Sequence, residues 1–256
     1  MTETSSMPTV FAPSDFRIRG ILNRISSLLS RHFLVFIVVT IIANLPLLLA
    51  LQGAAKLGSA AARGDALGPA IIMVAVGFVP FVVLSILSQT VIVHATFKAM
   101  RARPINLGES FSVGLARFIP VFLLGLIMGT LVALASLFLL IPGLVLIVMW
   151  FVGIPACVVE RLGPWMSLKR SAELTKGHRW EIFGLLALLF VIGTVASTVI
   201  EWVLAPIGIG LLTMLGTLIS NALWSAYYSI AVVVVYHDLR VAKEGLDIEQ
   251  IAAVFD

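Results

Sequence analysis

Four histidines, His32, His94, His178 and His237, are the side chains best suited to bind a metal or carry a proton near neutral pH. No two of them are three or four residues apart, and no acid completes a ligand set beside them. The sequence therefore predicts no metal site, and nothing in it calls for a cofactor. A proton- or ion-coupled transporter places a carboxylate inside the membrane. Here Glu160, Glu181 and Glu201 all fall at the ends of apolar runs, so coupled transport is not expected. The polar groups within those runs include Gln89 and Asn221, with Asn44, Ser225, Tyr227 and Tyr228. Hydrogen bonding between helices is their usual use. A pocket for a small or amphipathic solute would instead be lined by Gln89 and Asn221, which makes a permease the alternative reading. No Gly-x-Ser-x-Gly, glycine-rich phosphate loop or His-Glu-x-x-His occurs, and the chain reads as non-enzymatic.

The cations carry the one direct implication of a partner. Lys and Arg number 17, for a formal net charge of +4. Arg17, Arg24 and Arg31 recur every seven residues along an amphipathic segment, and Arg117, Lys169, Arg170 and Arg179 flank later apolar runs. Basic side chains on interfacial helices suit the headgroups of anionic phospholipids, so these seven are the expected lipid contacts. Nucleic acid is a poor match, because the charge borders apolar runs and no nucleic-acid-binding fold accompanies it.

These residues need elements to hold them, and the composition says which. The chain has 256 residues, 60% hydrophobic and 12% charged, with mean hydropathy +1.11. So little charge cannot cover the surface of a water-soluble globule. The single cysteine, Cys157, excludes a disulfide framework, and its place near the end of an apolar run predicts burial. The apolar stretches are continuous rather than alternating, which favours helices over a β-barrel. The fold expected is all-α and polytopic, with six spans at about 33–54, 69–97, 118–140, 143–159, 181–203 and 208–236. The second is long and expected to bend at Pro80. Turns are expected at Pro142-Gly143 and around Pro206 and Gly208. Residues 1–15 are Ser/Thr/Pro-rich, read as disordered, and lack the basic and apolar regions of a signal peptide.

Fifteen of the 17 cations fall on one side of these spans, with only Lys56 and Arg63 on the other. That bias predicts cytoplasmic N- and C-termini. Each odd-numbered span follows a segment that reads as an interfacial helix. In the first, Ile18, Ile21, Leu22, Ile25, Leu28 and Leu29 share a face. In the second, from Asn106 to Ala116, Leu107, Phe111 and Leu115 do so. In the third, Trp165, Leu168 and Ala172 do so, with Gly177 as the residue closing the helix. Three units of interfacial helix plus hairpin result, either a repeat or a shared way of entering a bilayer. Gly125, Gly129 and Ala133 have the spacing of close helix packing. The six-span domain covers residues 16–242. Residues 243–256 read as a tail with a short helix, Asp247 its cap and Ile248, Ile251 and Phe255 its apolar face.

The run Ile141-Pro142-Gly143-Leu144, Trp150, Pro155, Glu160-Arg161, Ser167-Leu168-Lys169-Arg170-Ser171 and Lys176-Gly177-His178-Arg179-Trp180, with the ending Tyr236-His237-Asp238-Leu239-Arg240 and Lys243-Glu244-Gly245, resembles a known group. It is similar to the membrane domain that accompanies the catalytic barrel in some bacterial glycerophosphodiester phosphodiesterases, and to related stand-alone multi-span inner-membrane proteins. The resemblance covers residues 15–256. It implies a membrane architecture and carries over no catalytic residue, because the activity of those enzymes resides in the barrel. The reading as a whole is an integral inner-membrane protein that contacts anionic lipids. It would act in envelope or lipid homeostasis, or as the membrane module of a protein partner.

Overall fold

A computed structural model describes residues 18–101, 104–204 and 210–244. Among these residues the elements are α1 (Ile18–Arg31), α2 (Phe33–Arg63), α3 (Gly68–Met100), α4 (Leu107–Phe138), α5 (Leu140–Met149), α6 (Gly153–Val159), α7 (Pro164–Thr175), α8 (Arg179–Leu204) and α9 (Gly210–Glu244), with no strand. Six helical units are long and apolar enough to cross a membrane: α2, α3, α4, α5 together with α6, α8 and α9. The chain is thus an all-α multi-span membrane protein.

The centre of the bundle is α9. Ala226 and the run from Ile230 to Tyr236 are buried on every side, as a helix enclosed by other helices must be. Around it lie α1, α2, α3, α6, α7 and α8. The outer helices turn apolar side chains away from the protein, among them Leu34, Ile72, Phe138 and Phe190, each more than 60% exposed. Lipid is their natural solvent. At 31 and 33 residues, α2 and α3 are each about 45–50 Å long at 1.5 Å per residue, well beyond a hydrocarbon core of about 30 Å. Their far ends carry Lys56, Arg63 and Asp65, and Gly64 closes α2 in the left-handed conformation at φ 72°. Where α2 and α3 cross, Gly53 lies against the Val74 backbone and Gly77 against Ala50 and Pro46, so neither site has room for a Cβ. Lipid supplies no hydrophobic drive between helices, so close backbone approach takes its place.

Several expectations need correction. The small-residue stripe of Gly125, Gly129 and Ala133 does not pack within this chain: both glycines face open space, and the close approach is made by Gly53 and Gly77 instead. The apolar face of α1 is covered by protein, with Ile21 and Ile25 fully buried and Leu28 nearly so, because α1 packs along α9. The second interfacial helix is not separate. Asn106 caps the start by accepting from the Glu109 amide at 3.3 Å, and α4 then runs unbroken for 32 residues through Pro120. The turn between spans three and four comes at Leu139, not Pro142-Gly143. Pro142 lies in the first turn of α5, where a missing N–H removes no helical bond. The second span is, as expected, one long helix, Gly68–Met100, with Pro80 inside it. The last helix continues to Glu244, so Lys243 and Glu244 belong to it rather than to a tail. Arg17, the turn at Pro206 and the helix expected after Asp247 lie outside the described residues.

Span four is broken. Gly153 donates to Trp150 at 3.0 Å rather than one residue further back, which leaves the Met149 carbonyl free. Ser171 and Thr175 of α7 fill that vacancy, their hydroxyls donating to Met149 at 2.9 and 3.2 Å. This explains the inner face of α7, made of Ser167, Leu168, Ser171, Leu174 and Thr175. Trp165, grouped with Leu168 by spacing, is 67% exposed on the outside. Gly177 follows α7 at φ 96°, in the position expected of a closing glycine.

Candidate functional site: two charge clusters at the basic end

The end of α3, the start of α4, the end of α6, all of α7 and the end of α9 meet at one end of the bundle. Two clusters of charged side chains form there, and they differ in composition.

The first joins α6, α7 and α9. Arg170 donates through Nε to both oxygens of Glu160, at 3.0 and 2.9 Å, and through its terminal nitrogen to Glu244. Arg240 donates to the other Glu244 oxygen at 2.9 Å. The Tyr236 hydroxyl donates to Glu160 Oε1 at 2.6 Å, and the Arg240 guanidinium lies 5.8 Å from the Tyr236 ring centroid. Two arginines meet two glutamates, so the cluster is formally neutral. Burial opposes the charge on Arg170, but Glu244 and Glu160 outweigh it and raise its pKa above the ordinary arginine value. A related pair ties α1 to α9: Arg24 grips both oxygens of Asp238, the first at 2.7 Å. Both arginines are held by carboxylates of the protein itself, where the sequence suggested lipid headgroups.

The second cluster lines a pocket of about 470 Å³ between α3, α4 and the end of α6. Lys98, Arg101, Arg117 and Arg161 face the single carboxylate of Glu109, a formal surplus of three positive charges. Lys98 pairs with Glu109. His94 shares a hydrogen bond of 3.0 Å with Ser110 and lies 3.8 Å from Glu109. Among the described residues, no carboxylate is within ion-pairing distance of Arg117 or Arg161. Phe97 forms part of the wall, and its ring meets the Tyr236 ring edge-on at 5.7 Å. The two clusters are therefore neighbours across one aromatic pair.

The remaining expected contacts are dispersed. Arg31 ends α1, Lys169 lies on the outer side of α7, and Arg179 opens α8; all three are exposed. Beside them Trp165 and Trp180 stand 67% and 83% exposed. Gln89 and Asn221 are half-buried on α3 and α9, and neither lines the pocket. Asn221 donates to the Thr217 carbonyl of its own helix at 2.8 Å. Of the expected lipid contacts among the described residues, only Arg117 is in the pocket, which His94 also lines. In the sequence Lys98 and Arg101 counted only toward the topological bias, and Arg161 toward that bias and the family resemblance. Arg161 carried one available signal, its place directly after Glu160 and before Leu162-Gly163, where a non-helical backbone was to be expected.

A family model described as a domain of unknown function, DUF7847, matches residues 102–239. That is more than half of the chain, spanning α4 to α8 and most of α9, and the chain belongs to this family. No curated protein and no solved structure matches it.

Proposed function

For this member of the DUF7847 family, we propose a non-enzymatic role as an inner-membrane protein whose basic end holds anionic phospholipid headgroups. Its work would lie in envelope or lipid homeostasis, or in serving as the membrane module of a partner protein. The observation that carries this reading is the excess of cations around the pocket at the edge of the apolar spans, where Arg117 and Arg161 meet no carboxylate among the described residues. The outward pair Trp165 and Trp180 supports it, since exposed tryptophans mark the headgroup level of many membrane proteins. Lys169 and Arg179 share that level and suit phosphates. The module role rests on the resemblance read from the sequence alone to phosphodiesterase-associated membrane domains. The 15-to-2 distribution of cations supports cytoplasmic termini.

Native mass spectrometry of the protein released gently from its own membrane tests the reading. Anionic lipids retained at fixed stoichiometry are the expected result, with a co-released protein favouring the module role. Release with zwitterionic lipid alone overturns it.

A further inference from the structure

The fold accounts for part of the pocket and leaves part unexplained. Cations at the carbonyl end of a helix are favoured by its dipole, which explains Lys98 and Arg101 at the end of α3. It does not explain Arg117. That residue lies inside α4, about 12 Å along the helix axis from Glu109, immediately before the charge-free run that begins at Phe118. A half-buried guanidinium at the hydrocarbon edge calls for a counter-anion, and none of the described residues places a carboxylate within ion-pairing distance.

Nor does the dipole explain Arg161. It is the only non-glycine residue among those described with positive φ, at 54°. Side chains with a Cβ disfavour this conformation, which persists only where the surroundings impose it. Its effect here is to separate two adjacent side chains. Glu160 reaches Arg170 and Tyr236 in the neutral cluster, while Arg161 reaches the pocket.

We propose that this pocket is a binding site for a phosphate monoester, with Arg117 and Arg161 as its guanidinium ligands and Lys98 as a third cation. A monoester carries close to two negative charges near neutral pH and presents three acceptor oxygens, which suits several convergent cations. A phosphodiester carries one charge and would match only one of the two guanidiniums that meet no carboxylate among the described residues. The volume suits a phosphorylated headgroup or a small phosphorylated solute. Phe97, Val113, Val158 and Val159 provide an apolar wall beside the charge. This inference rests on the lipid reading above and sharpens it, because it names the headgroup class.

The test uses the whole protein in nanodiscs of zwitterionic phospholipid. Three probes are compared: phosphatidic acid, phosphatidylglycerol and soluble glycerol 3-phosphate. Phosphatidic acid is expected to be retained at least tenfold over phosphatidylglycerol, and R117Q and R161Q are each expected to lose tenfold or more of that preference. R161G separates function from scaffolding. It relieves the backbone, so its Tm should hold or rise while phosphate binding falls. Should R117Q fail to fold, protection of Arg117 and Arg161 from phenylglyoxal by glycerol 3-phosphate in the unaltered protein reads the same contact.

Equal retention of the two anionic lipids, unchanged by the variants, overturns the monoester site and leaves the lipid reading standing. Binding of glycerol 3-phosphate without phosphatidic acid upholds the site and overturns its lipid source. Retention of no probe overturns both. An R161G variant that loses stability and keeps binding overturns the role of Arg161.

Discussion

The two charge clusters at the basic end share an aromatic wall and follow opposite rules. Around Glu160, every arginine meets a carboxylate, Tyr236 adds a hydrogen bond, and the net formal charge is zero. Around Arg117, four cations and one glutamate line the pocket, and Arg117 and Arg161 meet no carboxylate among the described residues. Buried charge is costly unless it is paired with good geometry. The first cluster meets that condition internally and so locks α6, α7 and α9 together. In the second, Arg161 and Glu109 are exposed and Arg117 is half-buried with no carboxylate among the described residues, and that deficit at Arg117 is what distinguishes a site from a strut. Cations at a membrane surface are thus not one population. Arg24, Arg170 and Arg240 hold helices to one another, whereas Arg117 and Arg161 are left to a ligand.

The contrast can be broken most forcefully at its neutral side. Glu160→Ala removes the acceptor that Arg170 and the Tyr236 hydroxyl share and leaves both arginines on Glu244 alone. Removing one member of a buried ion pair costs about 3–5 kcal/mol, and thermal unfolding in detergent should show a loss near the lower end of that range. A smaller effect is expected from the α1 clasp. A double-mutant cycle of Arg24→Gln and Asp238→Asn should give a coupling energy of about 1–3 kcal/mol, read from the same unfolding curves. Coupling near zero would mean that α1 is held by its apolar face alone.

On the charged side, Arg117→Gln should change stability by less than about 0.5 kcal/mol while impairing anion binding. A large loss of stability without a change in binding would make Arg117 another strut and erase the difference between the clusters. The finest adjustment is Glu109→Gln. It frees Lys98 and raises the formal surplus from three to four. Phosphate affinity should rise a few-fold at low salt and return toward the unaltered value as salt screens the pocket. Unchanged affinity at low salt would place Lys98 outside the ligand shell.

The residues quoted for the family resemblance are instructive here. Glu160, Arg170, Tyr236, Asp238, Arg240 and Glu244 are widely separated in sequence, yet five of them form the neutral cluster and the sixth takes Arg24. Their types were visible and their pairing was not. An arginine beside a membrane span reads alike whether it meets a phosphate or, as Arg170 does, a glutamate 74 residues away, because the one-dimensional pattern records only that it avoids the hydrocarbon. The same limit explains α1. Its amphipathic pattern shows that one face is covered, but α9 and a bilayer interface are equally apolar covers.

What the sequence determined by itself is the class of the molecule. Long uncharged runs must be helical in a bilayer, since every backbone group has to be paired inside its own segment. Those runs therefore place the six spans, and the positions of Lys and Arg assign most of the charge to one end. The tertiary structure decided where that charge goes. It broke span four at Met149 and capped the break with Ser171 and Thr175, turned Glu160 and Arg161 in opposite directions, and left the glycines of α4 facing outward. Each of these outcomes depends on contacts between distant segments, and no local pattern of hydrophobicity or charge encodes which two segments will meet.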